Sequence, residues 1–284
     1  MMDVEAPEGE PGKLHPETHQ IEFLSDNNFL RRLPRGLDAR QRHELEAVLL
    51  AADCIAISLQ RMLQLSLTVA NDPGPLSTLT RTELFSAAWS IVDNLSVVQQ
   101  LLLRATKSQG PKTDALMNKL AVVRKVRNWR QHMKAGLDGA INQKRRQWPI
   151  FGAISFVVVP PCGETRGTNE PVTARAMGFI ILAGSVGGAE GRDWIRAIDP
   201  IGAAFERPIT GPFFLVKDHE IDLLALYRAV HQCLEVASEH IETSCRSQAE
   251  KHSAEQGVSL GDLLDPLPVI DIRYDLECDS PGMG

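Results

Sequence analysis

At 284 residues, 43% apolar and 23% charged, the chain has the composition of a globular protein and the length for one large domain or two small ones. No run of about 18 uninterrupted apolar residues occurs, so no membrane-spanning helix is expected. Cys54, Cys162, Cys233, Cys245 and Cys278 are scattered and show no CxxC spacing. That pattern argues against a disulfide scaffold and a zinc ribbon, and for reduced thiols in a cytoplasmic protein.

Residues 1–20 are acidic and rich in Pro and Gly, and lack the apolar stretch of a secretory signal, so a disordered tail is expected. A short entry segment, Ile21 to Gly36, leads to a long helix from about Asp38 to Val69. Leu45, Val48, Leu49, Ala52, Ile55, Ala56, Leu59, Met62 and Leu63 recur there at helical spacing. Asn71 to Pro75, NDPGP, breaks it. A second helix is expected from about Thr80 to Thr106, with Thr80 as cap and Glu83 completing a capping box. Its buried stripe is Leu84, Ala88, Ile91, Val92, Leu95, Val98 and Leu102. After the loop KSQGP, a third helix runs from about Thr113 to Lys144, burying Leu116, Leu120, Val123, Met133 and Leu137. Gly136 and Gly139 weaken its end by about 1 kcal/mol each relative to Ala.

The periodicity then changes. Phe151 to Val159 and Ala176 to Gly184 are short, β-branched runs read as strands. Gly184 to Gly191 is a hairpin turn, since no Lys-Ser/Thr follows to make a phosphate loop. Asp193 to Ile198 is a short strand or a helical turn. Arg207 to Val216 is a strand whose Pro and Gly point to a sheet edge. A last helix, about His219 to Arg246, buries Ile221, Leu224, Leu226, Val230, Cys233, Leu234 and Ala237. Residues 251–284 are expected to be weakly structured, with PVIDIRY as one further edge strand. The expected fold class is α+β: a bundle of four long helices over residues 21–250, with a small antiparallel β-meander inserted at 150–217, before the last helix. A single bundle with a β excursion is favoured over two separate domains.

The net charge of −6 hides an asymmetry: Arg104 to Arg146 holds twelve Lys/Arg against Asp114 and Asp138, a net of +10 that leaves −16 elsewhere. Such a segment either binds a polyanion or packs beside the protein's own acidic helices. Within it, Arg124, Asn128 and His132 follow one another at four-residue steps and form a polar ridge. Arg127 lies about 140° from His132 on an ideal helix, with a side chain long enough to bend toward that ridge. Arg130 and Lys134 add charge on the flank.

These residue types suit RNA cleavage through the ribose 2′-hydroxyl. A His titrating near neutrality moves the protons. An Arg holds phosphate oxygens and stabilises developing charge, and an Asn orients the His or bonds the phosphate. The internal nucleophile makes a metal or other cofactor unnecessary. The plain alternative is that the three residues decorate an exposed helix. Trp129 is read as a half-buried anchor rather than a base-stacking platform. Asp93 is either an ion-pair partner of the ridge or, the favoured reading, a surface acid. His219, His231 and His240 stand too far apart in sequence for an i,i+4 ligand pair, and no GxSxG is present.

The helix Ala87 to Leu102 followed by a loop and Arg127-Asn128-Trp129-Arg130-Gln131-His132 resembles the HEPN (higher eukaryotes and prokaryotes nucleotide-binding) family of helical domains. Trp89 and Asp93 in the preceding helix and the run His132 to Asp138 add to the likeness, which covers roughly residues 80–140. The β insertion is not part of a minimal HEPN bundle. Many HEPN proteins are metal-independent endoribonucleases of toxin–antitoxin, abortive-infection or RNA-processing systems, and they usually dimerise so that two motifs face each other. The resemblance implies Arg127 and His132 as catalytic residues with Asn128 in support, Arg124, Arg130 and Lys134 as RNA contacts, RNA and a second copy of the chain as partners, and no cofactor. The alternative function is a non-catalytic helical interaction or dimerisation domain, whose basic helix meets RNA, an acidic protein or an antitoxin.

Overall fold

The computed structural model of the chain describes residues 21, 23–35, 37–72, 74–106, 111–132, 151–158, 177–183, 209–216 and 219–266. Four long helices are present: α1 Ala39–Asn71, α2 Thr78–Thr106, α3 Pro111–Gln131 and α4 Leu223–Gln256. Strands β1 Ala153–Val158, β2 Met177–Leu182, β3 Ile209–Val216 and β4 His219–Asp222 form a sheet inserted before α4, and a short α5, Leu260–Leu264, follows. Residues 1–20, the third helix beyond His132 (with Met133, Lys134, Gly136, Leu137, Asp138 and Gly139), the turn after Gly184, the segment 193–198 and PVIDIRY lie outside the described residues.

The periodic stripes are buried as their spacing requires. Val48, Ile55, Leu59 and Met62 of α1, Leu84, Ile91, Val92, Leu95 and Val98 of α2, and Leu120 and Val123 of α3 are fully enclosed. α1 packs along α2, α2 along α3, and α4 touches all three. Among the described residues, sheet and helices contribute to one continuous core. Of the described helices, α1 alone is long and apolar enough to cross a membrane, with a mean hydropathy of 1.5 over its best 18-residue window. Half of that window is buried within the protein, where α1 packs along α2.

Local chemistry sets the helix ends, in places differently from expectation. Asp38 caps α1 by accepting from the Gln41 amide at 3.0 Å. Ser77, not Thr80, caps α2: its Oγ accepts from the Thr80 amide at 3.0 Å, and the helix starts two residues early. Glu83 is thereby freed from any capping box and pairs with Arg61 of α1. α3 begins at Pro111, a residue suited to the first helical turn because it has no amide proton to leave unpaired. His219 belongs to β4 rather than the last helix, because Asp222 caps α4 by accepting from the Ala225 amide at 2.8 Å. α4 then runs ten residues past Arg246, to stop at Gly257 in the left-handed conformation.

The sheet is antiparallel throughout, in the order β2-β1-β3-β4. β1 is buried on both faces, and Ile154, Phe156 and Val158 point into the helical core. β3 is internal, not an edge. The reason is a bulge: Ser155 pairs with Phe213 and Val157 with Thr210, so Gly211 and Pro212 bow out where a proline costs no ladder hydrogen bond. Phe214 then returns to the core, fully buried.

The N-terminal entry is fastened to the bundle. Arg31 forms a two-pronged pair with Asp53 of α1 (2.8 and 3.0 Å) and donates from Nε to the Leu24 carbonyl. Hydrogen bonding to Asp53 holds the Arg31 guanidinium above its usual range against the opposing effect of burial. Pro34 bridges to Pro266, joining the entry to the segment after α5.

Gly152, just before β1, has φ +96°, and a Cβ there would stand 2.7 Å from the Leu215 carbonyl oxygen. Gly152→Ala is expected to lower unfolding free energy by about 2 kcal/mol, through backbone strain and displacement of β3. Urea denaturation of parent and variant checks this, and an unchanged midpoint would show that the turn relaxes without cost.

Candidate functional site

The site is built on facing surfaces of α2 and α3, packed neighbours whose apolar stripes, with Leu95 and Leu102 on one and Leu116, Leu120 and Val123 on the other, enter the same core. Beside this seam the polar residues form a groove of about 640 Å³. Ser96, Gln99 and Gln100 of α2 line one wall, and Arg124, Arg127 and Asn128 of α3 the other. The lining holds two guanidiniums and no carboxylate. Ser96 is buried and its Oγ accepts from Gln100 Nε2 at 3.0 Å, which fixes that amide along the wall.

Three of the six residues singled out from sequence, Arg124, Arg127 and Asn128, therefore meet in one groove. His132 does not line it. It is exposed at the end of the described part of α3, one turn beyond Asn128, whose carbonyl accepts from the His132 amide at 3.0 Å. Arg130 points elsewhere: its Nη1 lies 2.5 Å from Asp93 Oδ2, and its guanidinium stacks 5.0 Å from the centre of the Trp89 ring. Lys134 lies outside the described residues.

Asp93 is the partner of this cluster, against the favoured expectation of a lone surface acid. Its Oδ1 stands 3.7 Å from Arg127 Nε while its Oδ2 holds Arg130. Arg127 Nε is buried without a hydrogen-bond partner, since 3.7 Å is an ion-pair distance and not a hydrogen bond. Trp89 is buried beneath the cluster, edge-on to Phe214 of β3 with ring centres 5.0 Å apart. Trp129 is half-buried against the core, as an anchor would be.

Part of the basic segment pairs with the protein's own acids, and part stays exposed. Arg104 pairs with Glu44 of α1, and Arg127 and Arg130 with Asp93. Arg124, Lys119 and Lys125 are exposed and have no ion-pair partner among the described residues. Ser96, Gln99 and Gln100 went unnoticed in the sequence. Their three- and four-residue spacing forms a polar stripe beside the apolar one, but only the pairing of α2 with α3 shows that it faces the arginines.

Comparison of the chain with protein-family models, with curated proteins and with solved structures gives no match in any of the three.

The cluster separates a packing residue from a surface one. Trp89→Ala is expected to cost about 3–5 kcal/mol, because it empties a core position between α2 and β3. Arg130→Ala removes only a partly exposed ion pair and a cation–π contact, and is expected to cost about 1 kcal/mol or less. Chemical denaturation of the two variants side by side measures the contrast, and equal losses would mean that the guanidinium, not the ring, holds the sheet.

Proposed function

We propose that the chain is an RNA-acting domain of HEPN type, a metal-independent endoribonuclease that cleaves through the ribose 2′-hydroxyl, working in the cytoplasm as a homodimer. The observation that carries the reading is the carboxylate-free groove in which Arg124, Arg127 and Asn128 stand together. Two guanidiniums beside amide and hydroxyl groups match a phosphodiester, with bidentate contacts available to its oxygens. In this scheme the His132 imidazole serves as general base, taking the 2′-hydroxyl proton. The 2′-oxygen attacks phosphorus, the 5′-oxygen leaves and takes up a proton, and a cyclic phosphate and a 5′-hydroxyl result. Arg127 neutralises the charge that grows on the phosphoryl oxygens, and Asn128 holds the phosphate in register. The HEPN-like pairing of two motifs would bring the exposed His132 of a second copy to this groove.

A specific observation favours a second reading, RNA or acidic-partner binding without cleavage. His132 is not among the residues that line this groove, and Asp93 engages both Arg127 and Arg130. RNA, an antitoxin or another acidic protein is the partner in that case.

The two are told apart by incubating purified protein with RNA in a chelator. The first reading expects cyclic-phosphate ends and a loss of about a hundredfold or more in His132→Ala at unchanged thermal stability. Binding without any cleavage by the parent protein would leave only the second. Where RNA is the ligand, with or without cleavage, Arg124→Ala and Arg127→Ala should each flatten the log–log salt dependence of single-stranded RNA affinity by about 0.7. An unaltered slope would remove the groove from the RNA path.

A further inference from the structure

Along α2 the phosphate groove is preceded by a second one of different chemistry. It has a volume of about 720 Å³ and runs from Arg81 to Asn94, where α2 meets the start of β1 and the end of β2. Phe85, Trp89 and Phe151 give it an aromatic lining, and hydroxyl and amide groups, Ser86 and Asn94 among them, give it a polar one. The two grooves flank one cluster. Asp93 and Arg130 line the second groove, Arg127 lines the first, and Asp93 engages both arginines. From Arg81 to Leu103 the two stripes extend about 33 Å along a single helix.

We infer that this second groove is a nucleobase subsite, and that the ligand of the neighbouring phosphate groove is therefore single-stranded RNA. The inference rests on reading the first groove as a phosphate track. A track for phosphates alone needs charge and no aromatic surface. A duplex keeps its base faces stacked inside, whereas single strands present theirs to aromatic rings and guanidinium planes.

The geometry supplies such a plane. One side of the Arg130 guanidinium lies over Trp89 and its edge is held by Asp93, so its orientation is set before any ligand arrives. Trp89 itself is covered, by Arg130 above and by Phe214 edge-on, so a base stacks on the guanidinium rather than on the indole. Phe151 lines the same groove and remains 47% exposed, a large ring left in solvent beside that plane. Asn94 donates from Nδ2 to the Ser90 carbonyl at 2.9 Å, which anchors its amide and leaves Oδ1 with no partner among the described residues to accept from a base edge. The charge fits as well, since Arg81 and Arg130 in the lining outnumber its one carboxylate, Asp93.

The test is a fluorescence-anisotropy titration of the full chain with three probes of equal length: a single-stranded RNA, the same RNA in a duplex, and an abasic ribose-phosphate chain. Cleavage is blocked in every sample by His132→Ala. The variants compared are Ser86→Leu, which fills the groove from an exposed helical position, Phe151→Ala, which removes an exposed ring, and Arg124→Ala in the phosphate groove. The expected result is about tenfold tighter binding of the single strand than of the other two probes, lost in Ser86→Leu and Phe151→Ala. Arg124→Ala should weaken all three probes alike. Equal affinity for the three probes, or a preference that survives both groove variants, overturns the base subsite and leaves the phosphate groove standing. Failure to bind any probe overturns the RNA reading, and this inference with it; a protein would then be the groove's occupant.

Discussion

The position of Trp89 is the constraint on which the site depends. Its ring touches Phe214 of β3 at one edge and carries the Arg130 guanidinium on its face. The sheet, α2 and α3 therefore meet at one buried side chain. Asp93, one turn further along α2, holds Arg130 in that stack and reaches Arg127 with its other oxygen. A residue buried for packing thus fixes the direction of two charged groups at the surface. Precise placement of polar side chains needs this kind of rigid backing, because a long arginine left to itself samples many rotamers.

The same arrangement divides the labour among the basic residues. Arg130 has its charge answered by Asp93 and one side of its plane covered by Trp89. Arg124 has no acidic neighbour among the described residues and opens onto the α2–α3 groove. Arg127 stands between the two, close enough to Asp93 to feel its charge but too far to hydrogen-bond. A ligand phosphate entering the groove would meet one guanidinium whose charge is fully available and another already oriented. That mixture favours selective contact over indiscriminate attraction, since part of the positive field is neutralised within the protein.

Much of the fold was legible because burial leaves a period in the sequence. The stripes of α1, α2 and α4 gave the helices, and the break in period at Phe151 gave the inserted sheet. What escaped was set by contacts distant in sequence or by competition among neighbouring caps. Ser77 and Thr80 both suit the start of α2, and only the realised hydrogen bond chooses between them. Pro212 marked β3 as an edge, yet the bulge beside Val157 accommodates it in the sheet interior. The lining of the candidate groove was legible in part. Helical spacing correctly placed Arg124 beside Asn128, and the reach of Arg127 brought it to the same groove. Spacing is silent on the facing wall of α2, and it put His132 on a ridge whose last member turns out to lie past the groove's end.

The meeting of Pro34 with Pro266, and of Asn28 with Ser238 at 2.9 Å, implies an order of assembly. These contacts join residues more than two hundred positions apart, and closing so long a loop in an unfolded chain costs about 5 kcal/mol of entropy. The α1–α2 hairpin asks for no such closure and has the most extensive interface among the described elements, so it is the natural nucleus. Once α4 has docked on it, the distant ends are already close and their bridge costs little more. The clasp at Pro34 is then the last part of the domain to close and the first to fray, which makes the outer segments a place where local opening precedes global unfolding.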